Sequence, residues 1–262
     1  MIKVIKDKCV KCLKCVKVCP FTALGVEDGY PADRGKMCIE CMHCAAACPE
    51  GALTWEGEPA ALEAQPVLPL SADFADQLEA HVLQRRSYRH FKDTLVDREV
   101  LQRALELADW APSAKNQHPH GWIVIDTKET IDKMMAAIVD YSKENGVSPE
   151  IVRELEQEKN NVVMGESRTL ILCHADSKAI NAPADSAIAM TTVELLLQAK
   201  GIGTCWAGYL TRMCNAVPAL GELLPPLPEN HAYYGAFMVG YPEREDYVTV
   251  PARLKKAEIK WV

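Results

Sequence analysis

Two stretches of the chain share one skeleton. CVKCLKCVKVCP at 9–20 and CIECMHCAAACP at 38–49 both read C-x2-C-x2-C-x3-C-P. Nothing else in the sequence constrains its fold so tightly, because a segment this dense in cysteine has few apolar side chains from which to build a core of its own. It has to be organised around something that its thiols hold in common. Eight of the eleven cysteines (Cys9, Cys12, Cys15, Cys19, Cys38, Cys41, Cys44 and Cys48) lie in the first 48 residues, while Cys173, Cys205 and Cys214 are scattered through the rest. The head of the chain is therefore a module of its own.

Three chemistries compete for these thiols. Disulfides suit small secreted domains, but tight C-x-x-C-x-x-C runs leave little freedom for relaxed S–S geometry, and MIKVIKDKCV lacks the apolar stretch of a secretion signal. Structural zinc uses paired C-x2-C knuckles and has no role for a third cysteine at the same spacing or for a fourth followed by proline. The remaining reading is the iron–sulfur run, in which three cysteines hold one cluster and the fourth crosses to another. Two-residue spacers let successive thiolates reach different irons of one face, and the proline ends the run and redirects the chain.

Residues 3–55 resemble the two-cluster bacterial ferredoxins, including the apolar and turn residues after each CP, FTALGVEDG at 21–29 and EGALTWEG at 50–57. The resemblance implies a small ferredoxin-like α+β domain over 1–57 that carries two 4Fe-4S clusters and passes single electrons. It also implies that Cys9, Cys12, Cys15 and Cys48 hold cluster one, and that Cys38, Cys41, Cys44 and Cys19 hold cluster two.

Net charge is −7 over 262 residues, and no basic run exceeds Arg85-Arg86 or Lys255-Lys256, so a nucleic-acid partner is not expected. No apolar window reaches the roughly 18–20 residues of a membrane span, and a cytoplasmic location is expected. The proline-rich, aperiodic stretch around 58–72 reads as an extended connector. A second domain is expected over 73–262, where helical and strand patterns mix. Phe74, Leu78 and Val82 fall on one helix face, and Asp97 caps a helix that must stop before Pro112. WIVI (122–125), TLILCHA (169–175) and AYYGAFMVG (232–240) read as strands. Helices are expected over about 129–140 and 149–163. The run from 185 to 201, apolar nearly all round, reads as a buried helix. The pattern predicts a layered α+β sandwich.

No G-x-G-x-x-G follows a strand and there is no P-loop, so a Rossmann nicotinamide site is not supported. RRSYRHF at 85–91 places Arg85, Ser87 and Arg89 on one face of an extended segment, where they could clamp a phosphate or form a solvated basic patch. In order with it stand APSAKNQHP (111–119), KGIGTCWAGYL (200–210), VGYPE (239–243) and PARL (251–254). Together these resemble the FMN-dependent nitroreductase family over about 78–262.

That resemblance implies a three-layer α+β sandwich, with an antiparallel or mixed sheet, in an obligate homodimer with FMN at the interface. Arg85, Arg86, Ser87, Arg89 and Arg253 match the residues around the FMN phosphate and ribityl chain. Pro112, Ser113, Ala114 and Asn116 match a loop lent by the partner subunit to the flavin ring. Ala207 and Gly208 match a stretch beside flavin N5 that supplies a backbone amide. Two departures stand out: Ala207 occupies a position where many members carry Glu or Ile, and His118-Pro119-His120 replaces Q-P-W. No separate catalytic acid or base is expected.

The two resemblances together imply an oxidoreductase. A low-potential donor such as ferredoxin feeds two clusters and then FMN, which reduces a small organic acceptor, for example a nitroaromatic or a quinone. Two alternatives are an NAD(P)H-dependent reductase that uses the clusters as an electron outlet, and a non-enzymatic redox sensor or electron-transfer subunit. His118, His120 and His174 read as structural, Cys173, Cys205 and Cys214 as small apolar residues, and Met134, Met135, Met164 and Met190 as packing residues.

Overall fold

A computed structural model describes residues 2–55, 67–243 and 247–262. Most of the connector expected at 58–72, namely 58–66, lies outside the described residues. By its internal contacts the chain divides into two compact units, one comprising 1–71 with 115–117 and the other 72–114 with 118–262.

In the first unit, β1 (Ile2–Val4) pairs antiparallel with β4 (Leu53–Trp55), and β2 (Leu24–Glu27) pairs with β3 (Tyr30–Asp33). The β2–β3 hairpin turns on Asp28-Gly29, both left-handed at φ 51° and 80°, as a two-residue turn between right-twisted strands requires. Each cysteine run folds into one short helix, α1 (Lys14–Lys17) or α2 (His43–Ala46), entered through a left-handed residue, Leu13 or Met42, at φ 58°. The buried apolar core consists of little more than Cys15, Leu24 and Leu53. A core so small falls well short of the conformational entropy of a fifty-residue chain, so groups bound by the thiols must supply much of the folding free energy.

The second unit is built on four antiparallel strands in the order β5-β6-β8-β7: β5 (His120–Ile125), β6 (Thr169–Asp176), β8 (His231–Gly240) and β7 (Gly203–Trp206). Side chains alternate across a strand, and here both sides are apolar. Leu170, Leu172, Ala236 and Met238 face α5 (Lys128–Asn145), α6 (Pro149–Glu156), α8 (Gly208–Ala216) and α9 (Pro218–Leu223). Ile171, Cys173, Phe237 and Val239 face α4 (Arg98–Ala108) and α7 (Ala182–Gln198). The result is the expected three-layer α+β sandwich. Phe237 is fully buried in the middle of it, and truncation to Ala would cost about 3–5 kcal/mol.

α4 begins where expected: Asp97 accepts a hydrogen bond from the Glu99 amide at 2.9 Å, and the helix ends before Pro112. The four methionines read as packing residues are all in the core. One helix ends early. The pattern over 149–163 predicts helix throughout, but α6 stops at Glu156. Lys159 turns left-handed at φ 54°, and Asn161 Oδ1 accepts from the amides of Val163 and Met164, offering the backbone a turn in place of helical bonds.

Candidate functional site

The cysteines form two quartets, each around its own cavity. Cys9, Cys12, Cys15 and Cys48 line one, beside Pro31 and Leu53. Cys38, Cys41, Cys44 and Cys19 line the other, beside Phe21 and Leu24. The two runs repeat one backbone path: Lys11 and Leu13 in the first, and Glu40 and Met42 in the second, all lie at φ 54–58°. Those left-handed residues turn successive cysteines inward.

The fourth cysteine of each run is also held alike. The Ala23 amide donates to Cys19 Sγ at 3.2 Å and the Ala52 amide to Cys48 Sγ at 3.2 Å, four residues beyond the cysteine in both cases. Such amides stabilise thiolate charge and tune the potential of a ligated cluster. Their only sequence signal was the shared offset after each CP. Among the described residues no three of His, Cys, Asp or Glu converge closely enough to hold a single ion. Quartets opening on a cavity suit a multi-iron cluster better than a mononuclear site, so the residues present fit the group.

In the second unit α3 (Phe74–Gln84) ends at Arg85, and the chain continues extended beside β7, with Ser87 bridged to Thr204 and the Tyr88 amide donating to the Thr204 carbonyl at 2.9 Å. Gly203 makes this approach possible, since a Cβ there would lie 2.8 Å from the Tyr88 ring. Two polar side chains missed by sequence reasoning brace the segment. Gln198 of α7 accepts from the Arg86 amide at 3.2 Å and donates to the Arg86 carbonyl at 2.8 Å and to Thr204 Oγ1 at 2.8 Å. Glu194, 4% exposed, accepts from Arg85 Nη1 and from Thr204 Oγ1, both at 3.3 Å.

The five arginine and serine positions are not all brought together. Arg86 folds back onto the Leu83 and Arg85 carbonyls and shares a groove with Tyr88 and Tyr247, its guanidinium 5.6 Å from the Tyr247 ring. Arg89 Nη1 donates to the Ser87 carbonyl at 3.2 Å. Arg253 lies exposed on an irregular C-terminal segment.

Two hydrogen bonds within the second unit shape the loop at 112–118. The Ala114 amide donates to Asp185 Oδ1 at 3.0 Å, and the His118 amide to Ser113 Oγ at 2.9 Å. Asp185 is 3% exposed, in the first turn of α7, where the helix dipole favours its charge. Lys115 and Asn116 are left-handed, at φ 50° and 57°. Ala207 and Gly208 mark the start of α8. The Ala207 amide is engaged by the Ala236 carbonyl at 2.8 Å, whereas Gly208, exposed and first in the helix, presents one of the amides a helix cannot satisfy internally. Burial pushes the thiols of Cys173 and Cys214 up to about 12, too high for thiolate chemistry. Cys205 is 2% exposed, among core residues.

An antiparallel sheet between two helix layers, preceded by a unit with two cysteine quartets, defines a two-unit α+β protein whose first unit is built to hold metal clusters. The model of the nitroreductase family matches residues 82–241, and a 4Fe-4S dicluster domain matches 8–53. The chain belongs to the nitroreductase family. It is 29% identical over 169 residues, 63% of this chain and 84% of the relative, to an Archaeoglobus fulgidus protein named "Putative NADH dehydrogenase/NAD(P)H nitroreductase". A Methanothermobacter thermautotrophicus protein of the same name is 25% identical over 171 residues, 64% of this chain and 78% of that one. Among solved structures, an FMN-bound nitroreductase from Bacteroides fragilis superposes with a TM-score of 0.61 at 22% identity, covering 71% of this chain and 98% of that one. One from Desulfitobacterium hafniense gives 0.58 at 22% identity, covering 70% and 97%. These two establish the likeness of fold.

Proposed function

We propose that this protein is an FMN-dependent oxidoreductase in which two 4Fe-4S clusters connect a low-potential, ferredoxin-like donor to the flavin, and the flavin reduces a small organic acceptor such as a nitroaromatic or a quinone. The observation that carries the reading is the pair of cysteine quartets, each facing its own cavity, in one chain with a nitroreductase sandwich. The bound groups supply one-electron carriage and one-to-two-electron conversion.

The chain's own residues would bind and orient them. The two quartets hold the clusters by thiolate. Arg85, Ser87 and Arg89, with Arg86 and Arg253, supply cationic and hydroxyl donors to the FMN phosphate and ribityl chain. Pro112, Ser113, Ala114 and Asn116 shape the wall against the ring, and Ala207 and Gly208 bring an open amide to its edge. The domains are read as 1–57, a connector over 58–72, and 73–262, in a cytoplasmic protein. No helix among the described residues is long and apolar enough to cross a membrane. A homodimer is supported by α3, whose Phe74, Leu78 and Val82 stand 39%, 45% and 51% exposed in the single chain, an apolar stripe that pairing would cover.

Anaerobic purification tests this reading: a brown protein with about eight irons and one FMN per chain is expected, and colourless, flavin-free protein overturns it. The names of the relatives favour a second reading, direct reduction of the flavin by NADH or NADPH with the clusters as outlet. Stopped-flow mixing separates the two, since rapid flavin bleaching by a nicotinamide and not by reduced ferredoxin reverses the proposed direction.

A further inference from the structure

The first seventeen residues carry Lys3, Lys6, Lys8, Lys11, Lys14 and Lys17 against Asp7 alone, in a chain with 29 basic and 36 acidic residues. All six lysines are exposed. Among the described residues none of Lys6, Lys8, Lys11, Lys14 and Lys17 is paired with a carboxylate, although acidic residues predominate in the chain as a whole. Two of these lysines are held in place. Lys11 Nζ lies 4.0 Å and Lys6 Nζ 5.3 Å from the centroid of the Tyr30 ring, a cation–π arrangement that fixes both ammonium groups on one side of the β2–β3 hairpin.

These lysines flank the first cysteine quartet. Lys8, Lys11 and Lys14 each neighbour Cys9, Cys12 or Cys15 in the chain, and Lys17 ends α1. Cys12 is the exposed member of its quartet, and Val10, which lines the same cavity, is 61% exposed. Glu50 is the single carboxylate among the residues lining that cavity, whereas Asp33 and Glu40 line the cavity of the second quartet. The lysines thus gather about the first quartet, whereas about the second Arg34 and Lys36 stand in the chain beside Asp33 and Glu40. A small exposed apolar spot at an exposed cysteine, ringed by uncompensated positive charge, is the anatomy of a transient electron-transfer interface, where charge steers encounter and a small contact area permits rapid release.

We infer that this lysine collar is the docking surface for an acidic one-electron carrier protein, of ferredoxin or flavodoxin chemistry, and that electrons cross between that carrier and the chain at the Cys12 end. The inference rests on the proposed cluster function and deepens it by naming the surface and the charge of the partner. One electron is exchanged, so that the carrier is oxidised by one when the chain is reduced by one, and no bond is made or broken.

The test uses anaerobic holoprotein and an acidic two-cluster ferredoxin reduced with dithionite. The second-order rate of electron transfer should fall at least tenfold between about 20 and 500 mM salt, in line with the loss of electrostatic steering. The triple variant Lys8→Glu, Lys14→Glu, Lys17→Glu should lose tenfold or more at low salt while retaining its iron and its rate with reduced methyl viologen, a cation that needs no basic docking face. If charge reversal costs iron, the neutral set Lys8→Gln, Lys14→Gln, Lys17→Gln should still lower the rate severalfold. Calorimetric titration with oxidised ferredoxin supplies a readout independent of turnover, and the same variants should weaken binding by a similar factor.

A salt-independent rate, or variants that bind and react like the parent, overturns the collar. So does holoprotein that sediments with phosphatidylglycerol vesicles at 150 mM salt but shows no ferredoxin binding, which would make the collar a lipid-binding face. If viologen reduces the flavin through the clusters while ferredoxin binding is absent, the collar falls and the proposed function stands. If ferredoxin binds in a salt-dependent manner but no reductant of the clusters bleaches the flavin, the collar stands and the proposed electron path falls.

Discussion

The carboxylate of Asp185 accepts the backbone amide of Ala114 at 3.0 Å from the first turn of α7, tying the loop at 112–118 to a helix that is itself part of the core. A hydrogen bond to a buried charge contributes about 1.5–3 kcal/mol. Asp185→Ala should therefore loosen the loop and weaken FMN binding roughly tenfold or more, a change of the size that energy implies. Fluorescence titration of apoprotein with FMN measures it. Asp185→Asn, which keeps an oxygen acceptor, should recover part of the loss, and an unchanged affinity in the Ala variant would remove the loop from the flavin site.

The crossing of the fourth cysteines predicts that the two quartets fail independently. Cys48→Ser should reduce iron from about eight to about four per chain by removing a ligand of cluster one, and Cys19→Ser should do the same for cluster two. Iron analysis and electron paramagnetic resonance of the dithionite-reduced proteins distinguish the two remaining signals. If Cys48→Ser instead disturbs the cluster of Cys38, Cys41 and Cys44, the assignment of the quartets is wrong.

If the exposed stripe on α3 is the contact of the proposed homodimer, Leu78→Glu places a charge at its centre. The variant should sediment as a monomer in analytical ultracentrifugation at concentrations where the parent is a dimer, and it should retain less FMN on dialysis. Its fold should survive, because α3 buries no residue in the single chain.

Acidification should destabilise the second unit through its histidines. His174 Nδ1 lies 2.8 Å from His231 Nδ1, so one ring must donate and the other accept. Burial, then the neighbouring His231 and His120, hold His174 below the ordinary 6.5, and burial lowers His120 against the opposing pull of Asp109. A histidine held low in the fold binds fewer protons there than in the unfolded chain. Its contribution is complete above pH 6.5, is lost as pH falls below that value, and declines no further once pH passes the lowered folded value. Denaturation midpoints of anaerobic holoprotein should fall between pH 7.5 and 5.8, and His174→Gln should flatten that slope.

Legibility in the sequence depends on where the information resides. The cysteine quartets were legible because two-residue spacers and a following proline leave few alternative chemistries. β6 and β8 were legible because strands buried on both faces are continuous apolar runs. β7 was not, because GTCW is four residues long and owes its strand character to pairing with Gly240–Phe237 of β8. Asp185, Glu194 and Gln198 were hidden for a different reason. They are polar residues in a helix that reads as wholly apolar, and their partners at 114, 85 and 86 lie 71, 109 and 112 positions away. The loss of helix after Glu156 turned on Asn161, whose side chain competes for backbone amides over a few residues.

Gln198 grips both the amide and the carbonyl of Arg86, and Thr204 takes the next peptide into the sheet. The arginine-bearing strip is therefore a fixed rim of the sandwich, shaped before any ligand arrives. If, as proposed, this rim holds the FMN phosphate, emptying and refilling it is an exchange of occupants and not a folding reaction, and the flavin should be removable and restorable without unfolding the chain.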